Sequence, residues 1–292
     1  MARFGVFLPQ LRMSFAALLE RALAAEAAGF DSVWLMDHLA APALPEADCF
    51  EGWTLATALA ARTSRIRIGH LVLCDAFRHP ALLAKMAATL DVISGGRLEL
   101  GIGWGSVPGE LEAFGIGREP AGIRAARLGE TLEVLRLLFG GERVDYAGRF
   151  FRLAGAIARP RPVQAPLPIH VGGAGEKLTL PLAARTASWW NCPSYAVERL
   201  AALAPKAAPA RISVQHPVAW VGEESERAAV TALAERRFGA WGGLLVGTAE
   251  ELAERFAAEV ALGAELFVLQ FHDFGTPETI AAFARDVVPL LG

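Results

Sequence analysis

The stretch Ala81–Ser106, ALLAKMAATLDVISGGRLELGIGWGS, contains one complete helix-then-strand unit. Ala81–Ile93 is an Ala-rich helical pattern, and Leu98–Ile102 is an apolar run of strand length. The run ends on Gly103-Trp104-Gly105-Ser106, a bulky ring among small residues. Similar units recur in both directions along the 292 residues. The strand-like runs are Phe4–Leu8, Ser32–Met36, Ile66–Leu73, Leu98–Ile102, Ile169–Val171, Ala187–Trp190, Ile212–Trp220 and Leu266–Phe271. Helical patterns separate them: Phe15–Ala28, Gly52–Ala61, Ala81–Ile93, Ile123–Phe139, Leu178–Arg185, Ala196–Ala204, Glu223–Phe238 with Ala249–Leu262, and Pro277–Leu290. Ser14 and Thr248 stand at N-cap positions, and Gly29 and Gly263 at C-cap positions.

Apolar runs without alternation fit strands buried on both faces, and helices between them imply parallel pairing with right-handed crossovers. Eight such strands at this length predict an α/β fold, a (β/α)8 TIM barrel forming one domain over residues 1–292. A doubly wound open sheet satisfies the same periodicity. An insertion is expected between strands four and five, where Val144–Leu153 reads as a small hairpin turning at Ala147-Gly148. The Pro-rich stretch Arg159–Pro168 leads back from it.

Hydrophobic residues make up 53% and charged residues 20%, ample for a large core. The net charge of −3, without clustered Lys or Arg, disfavours nucleic acid or an anionic membrane as partner. Cys49, Cys74 and Cys192 are scattered and odd in number, which suits neither a disulfide framework nor a zinc site. The chain opens on the strand-like Phe4–Leu8 and has no apolar run of spanning length. A cytoplasmic protein is expected.

In a barrel of this kind function sits where strands end and helices begin. Those ends read Asp37-His38, Cys74-Asp75, Gly103-Trp104-Gly105-Ser106, Gly172-Gly173-Ala174-Gly175, Asn191-Cys192 and His272-Asp273. A Schiff-base enzyme needs a strand-end lysine, but Lys85 lies mid-helix, Lys206 in a helix-end loop, and Lys177 past a glycine-rich turn. A metal-dependent hydrolase would show His-x-His or convergent carboxylates, and a glycosidase two facing carboxylates; neither pattern is present, and no metal is expected. What remains is a mouth rich in Gly and Trp, suited to a flat, phosphorylated cofactor. Gly172–Gly175, just before a helix, can aim successive N–H groups at one anion; a ligand-free tight turn explains the glycines equally well. His38 is the candidate for proton transfer beside Asp37, the alternative being a histidine satisfied by loop carbonyls. Trp104, Trp190 and Asn191 stand near strand ends as pocket candidates, whereas Trp34, Trp220, His70, His170 and His216 lie inside strands and read as structural. His79-Pro80 reads as a helix start.

Two runs carry a family resemblance: Ala25–His38, AEAAGFDSVWLMDH, and Arg78–Gly103, RHPALLAKMAATLDVISGGRLELGIG. With Tyr146–Leu153, Arg159–Gln164, Gly172–Gly175 and Leu269–Phe274 they make the chain resemble the luciferase-like monooxygenase superfamily along essentially its whole length. The resemblance is nearest to the branch that uses the deazaflavin coenzyme F420. It implies a barrel with an insertion after strand four, a homodimer, and hydride transfer between F420 and a small organic substrate. The alternative is an FMN-dependent monooxygenase supplied by a partner reductase, and a third reading is a flavin-binding barrel without turnover. It further implies that Asp37 and His38 face the ring, that Leu71-Val72 forms a non-prolyl cis peptide behind it, that Gly103, Gly105 and Ser106 border the ribityl chain, and that Gly172, Gly173, Ala174 and Gly175 hold the phosphate. The chain departs from the branch's sugar-phosphate dehydrogenases at Ser106, where an acid is expected, and at Trp104, where a small residue is expected.

Overall fold

The computed structural model describes residues 2–117 and 119–292. The chain begins with β1 (Arg3–Phe7), α1 (Phe15–Ala27), β2 (Ser32–Leu35), α2 (Gly52–Ala60), β3 (Arg67–His70), β4 (Leu73–Cys74), α3 (Pro80–Ser94) and β5 (Leu98–Gly103). It continues with α4 (Pro108–Ala113), α5 (Ala121–Phe139), β6 (Val144–Ala147), β7 (Arg152–Ala156), β8 (Ile169–Gly172), α6 (Thr179–Thr186) and β9 (Trp189–Cys192). Then follow α7 (Leu200–Ala207), β10 (Arg211–Trp220), α8 (Arg227–Phe238), β11 (Leu245–Gly247), α9 (Ala249–Ala261), β12 (Ala264–Phe271) and α10 (Pro277–Asp286).

Parallel pairing runs β1-β2-β3-β5-β8-β9-β10-β12 and returns to β1, so the sheet closes into the expected eight-stranded barrel. The antiparallel hairpin β6–β7 fills the expected insertion, and its turn is tied to α5 by Glu130, which accepts the N–H groups of Arg149, Phe150 and Phe151. Two strands differ from the sequence reading. The run Ile66–Leu73 is split into β3 and β4 by a cis peptide at Leu71-Val72, and β9 lies later than Ala187–Trp190. The short β11, absent from that reading, adds to the end of β10.

Local chemistry explains the boundaries. Ser14 Oγ accepts the Ala17 N–H at the start of α1, and Gly29 follows its end at φ +83°. Thr248 and Glu251 close a capping box on α9, and the His79 ring accepts the Ala81 N–H at the start of α3. Among the described residues no helix is long and apolar enough to cross a membrane.

Inside the barrel, Phe7, Trp34, Met36, Trp189, Leu266 and Val268 form an apolar layer separate from the larger core between sheet and helices. Trp34 fits because both neighbouring strands offer glycines. A Cβ on Gly5 would come 2.7 Å from the indole nitrogen, and one on Gly69 2.5 Å from the six-membered ring. The indole N–H is satisfied by Ser32 Oγ at 2.9 Å. At the N-terminal end the buried Glu99 is held by His170 at 2.7 Å and by Arg67, and His170 stacks on Trp189. Burial raises the Glu99 carboxyl, but these two partners more than offset it and hold it below the usual carboxylate range. His216 is likewise tied to Glu259, and His70 stacks on Trp53, so all three strand histidines serve the framework.

Gly69→Ala should therefore overpack a rigid ring and destabilise the fold by about 1–3 kcal/mol. Thermal unfolding of the two proteins checks this, and an unchanged midpoint would mean that the indole can shift aside.

Candidate active site

The C-terminal ends of the strands surround a cavity of about 470 Å³. Its wall contains most of the expected residues: Asp37, His38, Leu71, Val72, Gly103, Trp104, Gly105, Ser106, Gly172, Gly173, Ala174, Gly175 and Asn191. Val72 projects between the ends of β5 and β8. A Cβ on Gly103 would lie 2.9 Å, and one on Gly172 3.1 Å, from its methyl groups. The glycines thus leave room for an apolar wedge in the cavity wall.

Trp190, expected in the pocket, is outside it. In β9 side chains alternate, so Trp189 packs in the barrel interior and Asn191 meets the cavity, while Trp190 points to the outer core. Its indole N–H donates to the Gly173 carbonyl at 2.8 Å and so supports the glycine loop from behind.

That loop has the geometry of an anion cradle. The Gly173 N–H bonds to the Asn191 carbonyl, and the Gly175 carbonyl accepts the N–H groups that open α6. The N–H groups of Gly175, Glu176 and Lys177 have no acceptor among the described residues. Gly173, at φ +126°, is the residue that requires glycine here. The Tyr195 side chain reaches the same loop: burial pushes its phenol up, against the pull of the Ala174 N–H.

Asp37 is buried and its carboxylate is fully engaged. Arg78 grips it with two bonds of 2.7 and 2.9 Å, and the Cys74 N–H adds a third at 2.8 Å. Asp37 therefore joins the end of β2 to β4 and the approach to α3, and offers no free oxygen to a ring. Cys74 also lines the cavity, but burial pushes its thiol up to about 11, which makes it a poor nucleophile at neutral pH.

His38 is partnered from an unexpected direction. Its Nδ1 lies 2.9 Å from Glu110 Oε2, and Glu110 Oε1 accepts the N–H groups of Leu39 and Ala40 at 2.6 and 3.1 Å. Glu110 sits on α4, which follows the Gly103–Ser106 loop; Arg124 secures that loop through the Gly105 carbonyl at 2.8 Å. Ser106, where the resemblance implies an acid, is uncharged, and a carboxylate arrives four residues later at Glu110. Gln215 and Tyr195 were missed as well. Gln215 is one of three polar residues, with Ser213 and His216, in the run Ile212–Trp220, and nothing in the sequence singles it out. Among the described residues no cluster of His, Cys, Asp and Glu could hold a metal ion.

The model of the family described as luciferase-like monooxygenase matches residues 1–243. The chain belongs to this family. It is 36% identical over 184 residues to an F420-dependent glucose-6-phosphate dehydrogenase of Amycolatopsis mediterranei, a match covering 61% of this chain and 53% of that one. It is 38% identical over 138 residues to an uncharacterized protein of Mycobacterium tuberculosis, covering 47% and 48%. The chain thus spans about half the length of the curated relatives it matches. The fold is shared with an F420-dependent secondary alcohol dehydrogenase solved with an F420-acetone adduct, at TM-score 0.84 and 21% identity over 100% of this chain and 99% of that one. It is also shared with an EDTA monooxygenase from Chelativorans sp. BNC1, at TM-score 0.85 and 18% identity over 99% and 93%.

Removing the Asp37 carboxylate would leave the buried Arg78 facing only the half-exposed Glu51. Asp37→Ala should lower stability by about 3 kcal/mol. Denaturant titration measures it, and a loss below about 1 kcal/mol, the scale of a surface pair, would remove Asp37 from the framework of the site.

Proposed function

We propose that this protein is an oxidoreductase that holds coenzyme F420 in the mouth of its barrel and exchanges a hydride with a small organic substrate. One observation carries the reading: His38 and the Gly172–Gly175 cradle open into the same cavity. The residues fit the coenzyme. Met36, Leu71, Val72 and Trp104 supply apolar wall for a flat ring, and unpaired N–H groups beside Gly175 suit a phosphate. The relatives named as F420-dependent support F420 over FMN.

When bound, F420 supplies a two-electron hydride donor or acceptor at its ring carbon five. The chain supplies the rest. The backbone N–H groups of the cradle anchor the phosphate and fix the depth of the ring. Leu71, Val72 and Trp104 exclude water from its face. His38 lines the cavity with Nδ1 engaged by Glu110, which leaves Nε2 as the nitrogen that can take or give the proton that accompanies a hydride. Asp37 and Glu110 place two carboxylates in the wall, while Asn191 and Gln215 offer neutral amides.

Fluorescence titration of the purified protein with F420 and with FMN tests the coenzyme, and tighter binding of FMN would overturn that part of the reading. Gly173→Ala forces a side chain into a backbone conformation at φ +126°. It should weaken phosphorylated deazaflavin about ten- to a hundredfold and the phosphate-free chromophore far less. Equal effects on both would place the phosphate elsewhere. His38→Ala should cut turnover by about 10²–10⁴ with coenzyme affinity nearly unchanged. Full steady-state turnover by this variant would leave a binding barrel whose histidine does no chemistry.

A further inference from the structure

We infer that Glu110 is a positioning residue that sets the tautomer of His38. The inference rests on the reading of His38 as the group that moves the proton. A carboxylate only accepts hydrogen bonds, so the 2.9 Å contact requires the proton of a neutral His38 to sit on Nδ1. Nε2 is then bare, an acceptor on a ring that lines the cavity. In the opposite tautomer Nδ1 would turn a lone pair toward Glu110 Oε2, a repulsive contact at that distance. The side chains involved are only 18% and 8% exposed, so water does little to relieve it.

The arrangement is over-determined. Glu110 Oε1 is held by two backbone donors, Leu39 and Ala40, which leaves Oε2 no other orientation than toward the ring. Leu111, the next residue of α4, is buried at 2% exposure and seats the helix in the core. The carboxylate thus clamps the loop after β2 to the loop after β5, two walls of one cavity, and its second oxygen assigns the proton of the imidazole. Other groups in contact with the cavity do not compete for Nδ1: Asp37 is committed to Arg78 and Cys74.

Glu110→Gln separates this role from mere packing. The amide keeps the shape of the carboxylate, and its oxygen stays with Leu39 and Ala40, since the opposite flip would set its NH2 against two N–H donors. The amide nitrogen then donates to Nδ1, and the proton of His38 must move to Nε2. Nitrogen-15 NMR of histidine-labelled protein without coenzyme, at alkaline pH where the imidazole is neutral, reads this directly; the His38 signals are assigned by their loss in His38→Ala. The expected result is an Nδ1–H tautomer in the parent protein and an Nε2–H tautomer in Glu110→Gln. The same tautomer in both would overturn the inference. Turnover should fall by between about 10- and 10,000-fold with coenzyme affinity held. A switched tautomer with unchanged turnover would sustain the positioning role and sink His38 as the proton-transfer group, so the two failures are distinguishable. As a second variant, Glu110→Ala should show mixed tautomers that added acetate drives back to Nδ1–H. No response of the tautomer to acetate would again count against the assignment.

Discussion

An indole inside an eight-stranded barrel needs space that its neighbours must surrender, and Gly5 and Gly69 surrender it to Trp34. With Phe7, Met36 and Trp189 the ring fills the interior at mid-height, and the network of Glu99, His170 and Arg67 seals the N-terminal end. At the C-terminal end β5 and β8 finish in Gly103 and Gly172, and a cavity opens beside them. A solid base below and a cavity above follow from one packing choice. The base also fixes the register of β1, β2 and β3, which places Met36, Asp37 and His38 at the rim.

Electrostatics then divides the tasks. A carboxylate buried in a cavity wall is costly unless each oxygen finds a donor. Asp37 directs both of its oxygens to Arg78, and Glu110 directs its own to Leu39, Ala40 and His38. Cys74 stays protonated at neutral pH. Under the proposed function, proton transfer is the task of His38, the one histidine in the cavity wall among the described residues. The two acids tie the walls together through these contacts.

The barrel was legible in the sequence because strands buried on both faces lose their alternation, and because glycines and caps mark the helix ends at Ser14, Gly29 and Thr248. Facing was harder to read. Shifting β9 later than Ala187–Trp190 leaves Trp190 in the strand but moves it away from the strand end, and period-two alternation sends its ring outward. Glu110 was out of reach for a different reason. It lies 72 positions from His38 in sequence, and its approach depends on how α4 docks, which no local pattern of Pro108–Ala113 expresses. Leu71-Val72 shows the reverse case. Nothing in its composition marks a cis bond, and only the family resemblance pointed to it.

The two halves of the cavity are built from different materials, and this bears on how such a site changes its chemistry. The half assigned to the coenzyme is backbone: N–H groups beside Gly175, the turn at Gly173, and glycines that make way for Val72. Substitution there acts through conformation and is poorly tolerated. The other half is side chains: Trp104, Ser106, Glu110 and Tyr195 on the connections, with Gln215 facing inward from β10. Those positions can be exchanged without disturbing the ladder of strands. The acid on α4 shows one such arrangement: Ser106 has no carboxylate, and Glu110 brings one to His38 from a helix seated by the buried Leu111. In this chain the charge beside His38 is set by how α4 docks, and Glu110 is the position that delivers it.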